Sequence, residues 1–325
     1  MSVGAARDGD SSRTSLRAWA ALAAVYVLWG STYTGIQVAI RYSPPLLMAG
    51  SRYVLAGILL YLVAGHEGGW RHGIGRWQMP TRREAISAGV VGLFLLLGGN
   101  GLVSLGELKV HSGLAALMIA TVPLWMALIA LTLKGARRPG AVGWLGVLVG
   151  LGGVAVLVDP RSAGHISLLP AVGLLAAAVF WSIGSLSGQR APLARNVLLV
   201  SSVEMMVGGL GLLLVGLLTG EGSQLHWAHL GTPFFLAYAW LITGGSIAGY
   251  TCYTYALKYL PAGTVATYAY VNPIVALGLG WLILGQGLTP TAGLAALLIT
   301  AGVVLMVSGP ALANRRARLV HSPPG

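Results

Sequence analysis

Two charged residues, Arg52 and Glu204, lie inside long apolar stretches of the sequence. A charge in the core of a bilayer is costly, and it marks either a functional site or a structural pairing. Each residue lies about eight positions, or roughly 12 Å of helix, into its stretch. One hypothesis is a gate or coupling pair, in which Glu204 takes up a proton and Arg52 holds an anionic group of a substrate. The alternatives are a permanent ion pair, or an Arg52 that bonds carbonyls at a helix end.

Polar and aromatic side chains in other apolar stretches are candidates for the lining of a substrate cavity. Asn100 is flanked by glycines, which favours a flexible or locally unwound segment, and Asn272 directly precedes Pro273. Pro123 and Pro273 are predicted to interrupt their helices and to free backbone carbonyls. An aromatic lining suits an amphipathic organic molecule, although each of these features also serves plain packing. The aromatic and hydroxyl candidates are Trp29, Ser31, Thr32, Tyr33, Trp181, Tyr253 and Tyr270.

The composition requires a membrane to surround these residues. Hydrophobic types make up 56% of the 325 residues and charged types only 9%, whereas a soluble domain is about 25% charged. A bilayer core about 30 Å thick needs roughly 20 apolar residues of helix. Continuous runs of that kind predict an all-α integral membrane protein with ten transmembrane helices. They cover residues 18–40, 44–65, 84–105, 112–133, 139–158, 167–187, 196–218, 233–257, 262–284 and 290–309.

The positive charges are concentrated on one side of the predicted membrane. With these ten spans, 16 of the 20 lysine and arginine residues fall in the two termini and in every second connection. Positively charged loops remain in the cytoplasm, so both termini are predicted to be cytoplasmic in a multi-pass protein of the inner or plasma membrane. The net charge of +12 then indicates orientation in the lipid bilayer and no nucleic-acid partner.

The two halves of the chain resemble each other. Pro123 and Pro273 are 150 residues apart, and Trp29 and Trp181 are 152 apart, the offset that also relates Arg52 to Glu204. Five spans per half is an odd number, so the second half enters the membrane from the opposite side. The predicted organisation is a disordered tail (1–16), a first five-helix repeat (17–158), an inverted second repeat (159–309) and a cytoplasmic tail (310–325). Inverted repeats typically hold a substrate site at their interface and rock around it.

Several motifs resemble a known family. They are Leu28-Trp29-Gly30-Ser31-Thr32-Tyr33, Gly99-Asn100-Gly101-Leu102-Val103 through Glu107, Ala120-Thr121-Val122-Pro123, and Tyr268-Ala269-Tyr270-Val271-Asn272-Pro273. Over residues 17–309 the chain resembles EamA-domain transporters of the drug/metabolite transporter superfamily. The resemblance implies ten helices in two inverted repeats and export of small metabolites, often amino acids. That family often has Gly-Glu after the fourth helix of each half, where this chain has Gly135-Ala136 and Gly285-Gln286.

The sequence therefore predicts a secondary active exporter of a small organic substrate such as an amino acid, with proton coupling as an option. A multidrug or cationic-compound exporter is the alternative, and Glu204 would suit it. A membrane enzyme acting on lipid-linked substrates would need clustered acidic or histidine residues, and a channel would need a ring of like charges. No phosphate-binding loop or metal-ligand spacing occurs in the sequence, so we expect no cofactor, no metal and no enzymatic activity. The sequence leaves open whether the protein is a monomer or a homodimer.

Overall fold

The computed structural model describes residues 3–70, 79–133, 140–158, 167–302 and 304–305. Regular structure within these ranges is helical, and the long helices are numbered in chain order. They are α1 (Val3–Ala39), α2 (Pro45–Trp70), α3 (Arg82–Gly106), α4 (Ser112–Ala130), α5 (Ala141–Val158), α6 (Leu168–Gly188), α7 (Val197–Leu218), α8 (232–259), α9 (262–284) and α10 (Pro290–Gly302). A short helix, Glu221–Gln224, and a 3-10 turn, Trp227–His229, lie between α7 and α8.

Helices occupy each of the ten predicted stretches over the described residues. Five of them, α2, α3, α4, α6 and α7, are long and apolar enough by themselves to cross a membrane. Shorter apolar helices lie at Ala141–Val156, Val271–Leu284 and Pro290–Gly302. The count of ten spans therefore stays a prediction. At the N-terminus α1 begins at Val3, so the predicted tail of residues 1–16 overlaps this helix, and its disorder stays a prediction.

Two helices widen near the middle, α4 is broken near its middle, and α9 is broken near its start. The stretch Leu93–Gly101 of α3 and the stretch Leu241–Tyr250 of α8 are π-helical, a form that is frequent at functional sites. The segment around Asn100 is therefore widened, and it stays helical instead of unwinding. The two parts of α4, Ser112–Ile119 and Val122–Ala130, separate just before Pro123, as predicted.

Pro273 does not interrupt its helix, and that prediction is wrong. The break in α9 falls between Ala262–Val265 and Tyr268–Leu284, and Pro273 lies within the second part. In the amide orientation that satisfies its surroundings, Asn272 donates to the carbonyls of Tyr268 and Tyr26 at 3.1 Å each. These two bonds tie α9 to α1 beside the proline, and α9 continues past it.

Glycines allow the central helices to pack backbone to backbone. Gly50 of α2 lies against Gly209 of α7, and about two turns further Gly57 lies against Ser202 and Met206, so α2 and α7 run antiparallel along a long seam. Gly92 of α3 packs on the backbone of Glu204. Around this pair, α1 packs on α8 and α9, and α6 packs on α3 and α4.

The molecule has two ends, which we name by a glutamine at each. The Gln37 end carries the connections 40–44, 107–111, 219–231 and 285–289, and the Gln189 end carries 189–196 and 260–261. Between the ends the surface is apolar: Leu169, Leu236, Leu282 and Leu297 each expose about 70% of their side chain or more. A soluble protein rarely exposes apolar patches of that size, whereas a lipid-facing surface requires them.

Candidate functional site

A cavity of ≈ 50 Å³ lies among the helices, between the two ends. α1, α2, α3, α6 and α9 surround it, together with single residues of α4 and α8. Seven of the eleven predicted side chains line it: Trp29, Thr32, Tyr33, Arg52, Asn100, Trp181 and Asn272. Ligand pockets usually measure roughly 300–1,000 Å³, so this central cavity is nearly closed in the conformation described.

Arg52 is the charged residue of the central cavity. It is 2% exposed, and its Nη2 donates to the hydroxyl of Tyr53 at 2.9 Å and to Oδ1 of Asn100 at 2.7 Å. The guanidinium carbon lies 4.5 Å from the centre of the Tyr53 ring. Its Nε has no hydrogen-bond partner among the described residues. Arg52 therefore keeps an unused donor at the edge of the cavity, and Tyr53 is a lining residue that sequence reasoning missed.

Arg52 and Glu204 do not pair. Glu204 is level with Gly57 along the α2–α7 seam, because Gly57 contacts the residues on either side of it. Five residues separate Gly57 from Arg52, which is roughly 7.5 Å along the helix axis. Neither side chain forms an ion pair within the described part of the chain. The hypothesis of a permanent Arg52–Glu204 ion pair is therefore wrong, and so is the expectation of bonds from Arg52 to helix-end carbonyls.

Glu204 belongs to a second, larger cavity. That cavity measures ≈ 710 Å³, is lined by Glu204 and Tyr253 and reaches the connections at the Gln189 end. Glu204 is 2% exposed and its Oε2 has no hydrogen-bond partner. The Tyr250 hydroxyl interacts with the carboxylate, but it makes no hydrogen bond of normal geometry. Three cations of the lining, Arg190, Arg195 and Lys258, belong to the segments at the Gln189 end.

An aromatic cluster separates the two cavities. Trp29 packs against Trp181, Tyr253 and Tyr268 with ring centres 5.2, 4.7 and 5.3 Å apart. Trp29 and Trp181 face the central cavity, whereas Tyr253 faces the second cavity. The cluster is fixed by hydrogen bonds from Nε1 of Trp29 to the carbonyl of Gly245 at 3.1 Å and between Tyr253 and Ser185 at 2.5 Å. A molecule moving from one cavity to the other must displace these rings.

The Gln37 end is closed by a network of amide groups. Gln37 of α1 donates to the carbonyls of Glu107 and Val110 at 3.1 Å each, and its Oε1 accepts from the backbone N–H of Ser112 at 2.7 Å. Gln286, which follows α9, donates to the same Oε1 at 2.5 Å and accepts from the Ser112 hydroxyl at 3.0 Å. These bonds join α1, the start of α4 and the connection after α9.

Two further contacts distinguish the ends. At the Gln37 end, the Glu221 carboxylate accepts from the first N–H groups of α2, those of Leu46 and Leu47, at 3.0 and 2.9 Å. At the opposite end, Gln189 donates to the carbonyls of Leu257 and Leu260 at 3.1 and 3.2 Å. Gln189 makes these bonds from an exposed position. Gln189 also lines the second cavity, so this cavity is in contact with the surface at the Gln189 end.

Some predicted site residues lie away from the central cavity or outside the description. Ser31 bonds the Leu28 carbonyl at 2.7 Å and accepts from Nε1 of Trp240 at 3.0 Å, so it joins α1 to α8. Thr32 does line the central cavity, but its hydroxyl donates to the Trp29 carbonyl at 2.7 Å. The side chain of Tyr270 and residues 134–139, which include Gly135 and Ala136, lie outside the described part of the chain.

Glu107 is the most informative residue that the sequence analysis left without a role at the site. It follows α3 directly, is 2% exposed, and neither carboxylate oxygen has a hydrogen-bond partner among the described residues. Its charge acts on that of Arg52. The span predicted from the sequence ends at residue 105, so Glu107 falls just beyond it, and its place at the end of a family-like motif is the one sequence signal that singles it out.

Comparison with known proteins identifies the family to which the chain belongs. The sequence profile of the EamA-like transporter family matches residues 17–159 and again residues 168–308. The chain belongs to the EamA-like transporter family.

This EamA-like transporter is similar in sequence to proteins that are themselves named as transporters. It is 34% identical over 307 residues to a protein of Escherichia coli strain K12 named "Uncharacterized inner membrane transporter YedA", covering 91% of this chain and 92% of that protein. It is 24% identical to "Uncharacterized transporter YvbV" of Bacillus subtilis strain 168, with 91% of each chain covered. A crystal structure with 21% identity superposes with a TM-score of 0.62, over 91% of this chain and 97% of the other, which shows a shared fold.

The family, the relatives and the apolar helices together identify a multi-pass membrane transporter of the drug/metabolite type rather than an enzyme. The resemblance noted in the sequence is thereby confirmed. The central cavity, with Arg52 at its wall, is the candidate substrate site of this transporter.

Proposed function

We propose that this EamA-like protein is a secondary active transporter that exports small organic metabolites, such as amino acids, by alternating access. The observation that carries the proposal is the central cavity, which is closed by the Gln37–Ser112–Gln286 network on one side and by the Trp29 aromatic cluster on the other. A buried site between two barriers is what alternating access requires, because only one barrier opens at a time.

Two inverted five-helix repeats, 17–158 and 159–309, are part of the proposal. Gln37 bonds the carbonyls of Glu107 and Val110, and at offsets of 152 and 150 Gln189 bonds those of Leu257 and Leu260. The two π-helical stretches, Leu93–Gly101 and Leu241–Tyr250, lie at similar offsets of 148 and 149. The first helix of each half packs on the third and fourth helices of the other half, and the family profile matches each half separately.

The distribution of charge supports an orientation with both termini in the cytoplasm. In the described residues, the Gln189 end contains Arg190 and Arg195 in a connection and Lys258 in the last turn of α8. The connections of the Gln37 end contain Arg41 and Lys109. Counted over the whole sequence the bias is 16 basic residues against 3, and such loops remain inside. The second cavity then opens to the cytoplasm, so the structure corresponds to an inward-facing state of an exporter before loading.

The chemistry of the two cavities favours a substrate with an anionic group and an apolar body. Nε of Arg52 is a buried donor without a hydrogen-bond partner in the described residues, and Nε1 of Trp181, which interacts with the hydroxyls of Tyr253 and Tyr268, makes no hydrogen bond of normal geometry there. Both residues line the central cavity. A carboxylate would satisfy such donors, and the Trp29 aromatic cluster would pack on a side chain. The cations at the Gln189 end would repel a purely cationic drug, so the multidrug alternative is the less supported one. Only the acid of the second cavity, Glu204, favours it.

Coupling to protons is assigned to Glu204. A buried carboxylate with a free oxygen at the wall of the cytoplasmic cavity can exchange a proton with the solution there. In proteoliposomes, Glu204→Gln is expected to abolish the dependence of efflux on a pH gradient while folding is retained. Glu84→Gln is the matched control, because Glu84 is an exposed acid of the α3 capping box. Unchanged pH dependence in Glu204→Gln would remove the coupling role.

The substrate class is tested by a tolerance screen. Cells that overproduce the protein are challenged with single amino acids and with cationic compounds, and release of each tolerated compound is then measured. We expect tolerance to amino acids and faster release, both lost in Arg52→Gln. Tolerance to cations alone would favour the multidrug alternative, and faster accumulation instead of release would contradict export.

A further inference from the structure

Glu107 and Glu221 are two buried acids at the Gln37 end with opposite surroundings. Glu221 is 6% exposed and accepts hydrogen bonds from the N–H groups of Leu46 and Leu47, where the helix dipole of α2 also favours a negative charge. Glu107 is 2% exposed, and neither of its oxygens accepts a hydrogen bond in the described residues. The Glu221 carboxylate therefore has hydrogen-bond donors, whereas the Glu107 carboxylate has none among the described residues.

Among the groups around Glu107, Arg52 is the one buried cation that can pair with its carboxylate. α1 contributes Tyr33 and Gln37, α2 contributes Arg52 and Tyr53, and the connection 107–111 contributes Lys109 and His111, both of which are exposed. α6 packs on the end of α3 and has no titratable side chain in Leu168–Gly188. Arg52 interacts with the Glu107 carboxylate through its charge but bonds Tyr53 and Asn100 instead.

An ionised carboxylate that is buried without a partner is unfavourable, and such a group becomes neutral by taking up a proton. Glu107 has a second way to be satisfied, which is to accept the unused Nε–H of Arg52 when a conformational change brings the two side chains together. The two states exclude each other, because a protonated Glu107 offers Arg52 no charge. The backbone of Glu107 is also tied to Gln37, so its state is linked to the closure of the Gln37 end.

We propose that Glu107 is a second proton-binding site, loaded from the Gln37 side and unloaded when Arg52 pairs with it. This inference rests on the proposed transport function. In the loading step a Glu107 oxygen forms an O–H bond with a proton from hydronium, which leaves water. In the unloading step the proton returns to water and the carboxylate pairs with Arg52. The transporter then has one exchangeable acid on each side of the Trp29 aromatic cluster, Glu107 and Glu204.

A first experiment uses the unaltered protein in lipid vesicles. Dicyclohexylcarbodiimide, an apolar reagent, converts protonated buried carboxylic acids into stable acylureas, which mass spectrometry of peptides locates. We expect modification of Glu107 that falls at least tenfold between about pH 5 and about pH 9, and none at Glu221, the matched buried acid. Absence of modification at Glu107, or modification that is independent of pH, would overturn the proposal.

A second experiment tests the link to Arg52 without requiring transport. In Arg52→Gln the midpoint of Glu107 modification is expected to shift to higher pH, because the cation that favours the ionised carboxylate is gone. In Lys109→Gln, which removes an exposed cation of the same connection, the midpoint should stay in place. An unshifted midpoint in Arg52→Gln contradicts the exchange between proton and guanidinium. Because these readouts need no substrate, a failed transport assay with normal titration of Glu107 would count against the proposed function alone.

Discussion

The hydrogen bonds of Gln286 set how firmly the Gln37 end stays closed. Gln286→Ala removes the bond to Gln37 and the bond from the Ser112 hydroxyl. A neutral hydrogen bond contributes a net of about 0.5–1.5 kcal/mol, so two bonds stabilise the closed end by about 1–3 kcal/mol. That free energy corresponds to a population change of about 5–150-fold. The open population of the Gln37 end should increase by this factor.

A thiol reporter measures that population. Ile36 lines the central cavity and is 1% exposed, so Ile36→Cys reacts with a membrane-impermeant maleimide only when the end opens. The native Cys252 is replaced by alanine first, since it is the chain's single cysteine. While opening is rare, the labelling rate is proportional to the open fraction. Gln286→Ala is expected to raise the rate about 5–150-fold.

The control variant is Gln224→Ala, which removes an exposed glutamine from the same end. It should leave the labelling rate of Ile36→Cys unchanged. An unchanged rate in Gln286→Ala, or an equal rise in Gln224→Ala, would refute the role of the Gln37–Ser112–Gln286 network as a barrier.

Two further predictions concern stability. A Cβ added at Gly92 would lie 2.3 Å from the carbonyl oxygen of Glu204, so Gly92→Ala should lower the free energy of unfolding by about 1–3 kcal/mol, whereas Gly173→Ala, which meets nothing within 4 Å, should not destabilise the protein; denaturation in detergent compares the two. Glu221→Gln keeps the shape but removes a charge from the N-terminus of α2, and a loss of about 0.3–2 kcal/mol is expected in the same assay. Equal midpoints for Gly92→Ala and Gly173→Ala, or for Glu221→Gln and wild type, would contradict the respective account.

The helices could be predicted because each one depends on the residues of its own stretch of sequence. Runs of apolar residues specify helices in lipid one by one, so the predicted stretches coincide with helices throughout the described residues. Seven of eleven candidate side chains line the central cavity because polar side chains in such runs avoid lipid and face the interior of the helix bundle. Glycine seams such as Gly50–Gly209 follow the same logic.

The pairings between helices could not be predicted, because they depend on depth and register. Arg52 and Glu204 are equivalent in sequence, yet the antiparallel α2–α7 seam separates them along its axis. Pro273 was expected to break its helix, but it lies inside the second part of α9, and the break falls before Tyr268. Glu107 falls beyond the predicted end of its span, and its burial could not be predicted because it depends on the approach of α1 and α6, which is a tertiary contact.

Alternating access is the central claim, and one distance measurement tests it most directly. Pairs of spin labels at the exposed His111 and Leu288 report on the Gln37 end, and pairs at the exposed Arg195 and Tyr259 report on the Gln189 end. Adding the substrate found in the tolerance screen should lengthen the first distance and shorten the second within one population of molecules. Distances that stay constant, or that lengthen at both ends together, would contradict the account.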